Sequence, residues 1–150
     1  MLYLGAIIFT AAVLIQFRRV YMQYQTQFKA PSQTETEARI RELRQLRDGW
    51  CDGFGTRYQE EGLDWLQAFT EYLFAAGIPM PYLYPIDDQK VSAEWDTAEE
   101  EIVMEIALPD RTALLYLFEE DVTEQRFDLE DRASRKELLA LLRDVLATKV

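Results

Sequence analysis

Near residue 80 the hydrophobic period of this chain changes from 3.6 to 2, and that change limits the fold more than any other feature. Before it, apolar residues recur at helical spacing. Ile40, Leu43 and Leu46 share one face of a helix that runs from the capping box Thr34–Glu37 to about Trp50. Leu63, Leu66, Phe69, Tyr72 and Leu73 share one face of a second helix, Tyr58 to Ala76, which Gly77 caps and Pro79 and Pro81 keep from resuming. After it, residues alternate. Tyr82 to Ile86 is a short extended piece that Pro85 suits to an edge, and Asp87-Asp88 marks a turn. Val91, Ala93 and Trp95 then alternate with Ser92, Glu94 and Asp96, and Ile102, Met104, Ile106 and Leu108 with Val103, Glu105 and Ala107. Leu108 to Arg111 makes a tight turn. Ala113 to Phe118 is apolar on both faces and reads as a central strand covered on both sides, and Arg126 to Leu129 adds a short fifth strand. A second capping box, Ser134–Glu137, starts a last helix to about Ala147 that buries Leu138, Leu141, Leu142, Val145 and Leu146. Short connections predict an antiparallel meander of three to five strands, and helices segregated from such a sheet give an α+β class.

The amino-terminal segment follows different rules. Leu2 to Phe17 carries no charge, and its apolar surface comes from Leu2, Ile7, Ile8, Phe9, Val13, Leu14, Ile15 and Phe17. As a helix it rises about 24 Å, short of a bilayer core of about 30 Å, and Arg18 and Arg19 make up the difference by snorkelling. No basic residue precedes the run and no small-residue cleavage pattern follows it, so a signal peptide is disfavoured. A groove-docking helix fits its shortness, and a single-span anchor fits its composition. We read residues 1–25 as a transmembrane anchor in membrane lipid, 26–33 as a linker and 34–150 as the folded domain. Arg18, Arg19 and Lys29 lie on the carboxyl side, which places the amino terminus outside and the domain in the cytoplasm. Gly5, Ala6, Ala11 and Ala12 allow close helix approach and so permit a homo-oligomer, although no strict G-x-x-x-G motif calls for one.

Charge and composition exclude more than they include. The net charge is −11, and the segment before Pro31 carries +3, so the remaining residues carry −14. Such a field repels polyanions, and nucleic acid is not an expected partner. The arginines of the first helix are interleaved with Glu35, Glu37, Glu42 and Asp48, as on a solvated salt-bridged face. The chain has no histidine, which removes the usual general base and metal ligand, and its one cysteine, Cys51, has no histidine to activate it. The clustered acids at Asp87-Asp88, Glu99 to Glu101, Glu119 to Asp121 and Glu130-Asp131 fall at turns and lack calcium-loop spacing. The glycine loop Gly49 to Thr56 lacks phosphate-binding spacing, and Trp50 and Phe54 are expected to tuck into the core beside it. No catalytic, metal or cofactor residue is assigned. The candidate contact residues are the aromatics Trp50, Phe54, Tyr82, Tyr84 and Trp95.

Leu43, Leu46, Gly49, Trp50, Asp52, Gly53, Gly55, Pro79, Pro81, Pro85, Glu94 and Trp95 together resemble the pattern of a group of small uncharacterised bacterial proteins, over about Arg39 to Phe118. The pattern joins an L-x-x-L helix, a GW-x-DG-x-G-like loop, a P-x-P…P segment and a strand ending in Glu-Trp. The resemblance implies a bacterial source and a compact α+β domain, and it transfers no activity. The expected function is a non-enzymatic, membrane-tethered protein-interaction module on the inner membrane, such as an accessory or neutralising component of a defence or toxin–immunity system. A nucleotide-sensing membrane effector, a small subunit of a larger membrane complex and a metal-dependent hydrolase are the alternatives.

Overall fold

The computed structural model describes residues 29–86, 88–97, 101–118 and 122–147. The anchor assigned to residues 1–25 lies outside the described residues, as does the start of the linker. Among the described residues no helix is long and apolar enough to cross a membrane.

Helix α1 spans Gln33–Gln45. Its capping box is Ser32–Glu35, not Thr34–Glu37: Ser32 Oγ accepts from the Glu35 amide (3.2 Å) and the Glu35 carboxylate accepts from the Ser32 amide (2.6 Å). Both pairs have the required spacing, and the upstream box gives a longer helix while freeing Thr36 to turn inward, where it is buried. The helix also stops earlier than the apolar pattern suggests. Leu46 is extended (φ −62°, ψ 136°), and the chain enters a miniature hairpin in which Cys51 and Phe54 exchange backbone hydrogen bonds of 2.9 and 2.8 Å. Asp52 and Gly53 both have positive φ (48° and 91°), as a two-residue type I′ connection requires.

Helix α2 spans Glu60–Ala75 and starts after Tyr58, which the sequence assigns to it. Tyr58 instead points at the sheet. Its Oη accepts from the Ile86 amide (3.1 Å) and lies 2.8 and 2.6 Å from the Ile86 and Lys90 carbonyls, which share its one proton. Gln89 fastens the same junction: its Nε2 donates to Thr56 Oγ1 and the Arg57 carbonyl, and its Oε1 accepts from the Gln59 amide. Arg44 of α1 binds Glu60 and Asp64, which joins the two helices.

Strands β1 (Tyr82–Ile86), β2 (Lys90–Asp96), β3 (Glu101–Ala107), β4 (Thr112–Phe118) and β5 (Val122–Asp128) form one antiparallel meander in sequence order. The expected α+β class and meander are present. Two strands differ from expectation. β5 is a full strand that begins at Val122 rather than Arg126, because its polar first part hides its start. β4 is fourth of five, and only Ala113 and Leu115 are buried on its helix side. Helix α3 spans Arg132–Ala147. The expected Ser134–Glu137 box is not used. Asp131 Oδ2 accepts from the Ser134 amide (2.7 Å), and Ser134 Oγ accepts from the Asp128 amide (2.9 Å), which ties the helix start to the end of β5.

The three helices among the described residues pack on one face. Ile40 and Leu43 of α1, Leu63, Leu66 and Leu73 of α2, and Leu138 and Leu142 of α3 join one core with Leu83, Val91, Ala93, Trp95, Met104, Leu115 and Phe127. Among the described residues no helix or strand covers the opposite face.

Candidate interaction surface

The strand register assembles the helix-free face. One row across it runs Tyr82, Glu94, Val103, Tyr116, Glu124; the next runs Tyr84, Ser92, Glu105, Leu114, Arg126. Two aromatic ridges result. On β1, Tyr82 and Tyr84 stand two residues apart and are about a third exposed. On β4, Tyr116 and Phe118 stack with ring centroids 6.3 Å apart and planes at 22°. Three strand spacings, about 14 Å, separate the ridges. Between them lies a trough of small and acidic residues: Ser92, Glu94, Val103 and Glu105. Ser92 Oγ donates to Glu94 Oε1 (2.7 Å), and both residues are buried, at 6% and 4% exposure. Around this trough Asp96, Glu101, Glu124 and Asp128 outnumber Lys90 and Arg126 on the same face.

Tyr116 and Tyr82 on this face hold their protons more tightly than usual. Burial raises the Tyr116 pKa, with Glu105 and Glu124 adding to the effect and Arg126 opposing it. Burial likewise raises Tyr82, helped by Asp96, Tyr84 and Glu35. Tyr82 Oη also donates to the Lys29 carbonyl (2.7 Å), so the first described residue is fixed at the edge of this face.

The five candidate aromatics separate into three groups. Tyr82 and Tyr84 project outward together. Trp95 does not: it lies on the helix side, 3% exposed, and its Nε1 donates to the Pro79 carbonyl (2.7 Å). Trp50 and Phe54 do not enter the core. Phe54 is 75% exposed at the hairpin, and Trp50 lies half-buried over Gly55, where an added Cβ would sit 2.6 Å from Trp50 Nε1. Gly55 has φ +84°, so both its backbone and its indole neighbour require glycine. The sequence reading missed Val103, Leu114, Tyr116 and Phe118. For Leu114, Tyr116 and Phe118 the signal is the two-sided apolar pattern of β4, which also fits a strand whose second face meets a partner.

A groove of about 430 Å³ opens between α1 and β1, lined by Lys29, Arg39, Glu35, Glu42, Tyr82 and Tyr84 among others. Its two cations are offset by two carboxylates. Arg39 is also engaged, donating from Nε to the Leu83 carbonyl (2.9 Å) and from Nη1 to Glu42. The groove therefore offers no uncompensated positive charge for a phosphate. Among the described residues no three acidic or cysteine side chains lie close enough to hold a metal ion, and Cys51 is exposed. No protein-family model matches the chain. Comparisons with curated proteins and with solved structures found no match.

Proposed function

We propose that this chain is a non-enzymatic protein-interaction module, tethered by its amino-terminal segment to the cytoplasmic face of a bacterial inner membrane, and that it binds a partner on the helix-free face of its sheet. One observation carries the reading: an acidic trough bounded by two aromatic ridges on a face that no described element covers. A helix with its side chains is about 10–12 Å across, close to the spacing of the ridges. The partner that fits is a helix with apolar flanks against Tyr82, Tyr84, Tyr116 and Phe118 and basic residues toward Glu94 and Glu105. Aromatic side chains are enriched at interfaces and among binding hot spots. A basic effector held in check by this face would make the chain a neutralising component of a defence or toxin–immunity pair.

The test is capture of partners from native membranes with the full chain and with the double variant Tyr116→Ala/Phe118→Ala. Loss of a partner by a variant that keeps its thermal stability supports the reading. Capture of the same proteins in the same amounts removes the face from consideration. In parallel, a chain lacking residues 1–28 is expected in the soluble fraction and the full chain in the membrane fraction. An unchanged distribution ends the tether reading.

A further inference from the structure

The two edges of the sheet are finished differently. On β1 the outward Leu83 carbonyl accepts from Arg39, and Pro85, the next outward position, has no amide to offer. On β5, among contacts between described residues, the outward backbone group with such a cap is the Asp128 amide, held by Ser134 Oγ. The register fixes which groups point outward. The Leu129 amide donates inward to the Arg111 carbonyl, so the amides and carbonyls of Phe127, Gln125 and Thr123 also face β4. Those of Val122, Glu124 and Arg126 face away, along a strand exposed from Val122 to Arg126, with Val122 itself 61% exposed.

We infer that β5 pairs with β5 of a second copy of this chain, antiparallel, about a two-fold axis through Gln125, joining two sheets into one of twice the width. Outward groups must meet outward groups, which restricts the register to even offsets. Centring the pair on Glu124 sets Glu124 against itself, and centring it on Arg126 sets Arg126 against itself and Glu124 against Asp128. Centring it on Gln125 places Glu124 opposite Arg126 twice, related by the axis, as narrow pairs that exchange both backbone hydrogen bonds. Val122 and Asp128 then end the ladder. Charged edge residues ordinarily guard a strand against such pairing. Here their alternating sign permits one register and opposes its neighbours. The helix-free faces of both copies continue into each other on one side, which gives a partner two adjacent troughs. The inference stands on the strand edge alone and does not depend on the membrane or partner reading.

The test uses the full chain, in whichever cell fraction holds it, with Cys51→Ser and one engineered cysteine at a time. Gln125→Cys faces its own copy across the axis at a Cα distance near 4.5 Å, within disulfide reach, whereas Thr123→Cys does not. Mild oxidation is expected to give a disulfide-linked dimer from Gln125→Cys and little from Thr123→Cys. Adding Glu124→Arg replaces both opposite-charge pairs with like-charge pairs and is expected to weaken dimerisation about tenfold. The swap Glu124→Arg/Arg126→Glu restores opposite charges and is expected to restore the cross-link. Circular dichroism confirms that each variant is folded. Equal cross-linking at positions 123 and 125, no cross-link at 125, or failure of the swap to rescue would each overturn the inference.

Discussion

The two faces of the sheet are drawn from the same five strands and do different work. On the covered face, Leu83, Val91, Met104, Leu115 and Phe127 meet three helices in a closed core. On the free face, tyrosines, a phenylalanine and aliphatic residues stand among carboxylates. Adjacent residues of one strand serve opposite ends: Leu115 is sealed beneath the helices, and Leu114 is half-buried on the other side. Apolar character alone does not mark a core position, because a sheet covered on one side can carry apolar residues on both.

Four measurements press on this contrast, from the largest expected effect to the smallest. Leu115→Ala is expected to lower the unfolding free energy by about 2–5 kcal/mol in urea titrations, because the helices cannot close over the lost volume. Ser92→Ala follows, at about 1.5–3 kcal/mol, because it removes a buried hydrogen bond to the Glu94 carboxylate; no loss would mean that the trough is solvated. Leu114→Ala should cost under about 1 kcal/mol, since its site relaxes into solvent. Equal losses at 114 and 115 would erase the distinction between the faces. The smallest effect is on proton binding. The Tyr116 pKa is raised in the fold, so its neutral phenol stabilises the fold fully below the ordinary tyrosine range, and that contribution is lost as pH rises through the higher folded value. Phenolate absorbance in alkaline titration should lose a late-titrating component in Tyr116→Phe.

Much of the fold is legible in the sequence because it rests on local periodicity. The helical faces of Ile40, Leu43, Leu63 and Leu66, and the alternation from Val91 to Leu108, point to the elements that form. Boundaries are less legible, because two capping boxes of equal spacing, Ser32–Glu35 and Thr34–Glu37, differ only in what the rest of the fold lets Thr36 bury. Tyr58 fits a helix by pattern and is drawn out of it by a hydrogen bond to residues 28 and 32 positions away. Only the end of β5 is legible, because Val-Thr-Glu-Gln has no apolar alternation and pairing with β4 makes that part a strand. At the candidate site, the alternation that groups Trp95 with Val91 and Ala93 already implies its inward direction. Tyr116 and Phe118 are hidden by an ambiguity: a strand apolar on both sides reads equally as doubly covered or as waiting for a partner.

Each strand pairs with its neighbour in sequence, so the meander can close one hairpin after another without a long search. The helical layer needs remote pegs: Arg39 to the Leu83 carbonyl, Tyr58 to Ile86, and Arg143 to the Ala76 carbonyl across 67 positions. Loop closure over such distances costs more entropy than closing a hairpin, so these long-range pegs depend on the rest of the fold being in place. The carboxylates among the aromatics of the helix-free face serve as gatekeepers, opposing face-to-face stacking of one sheet on another by mutual repulsion.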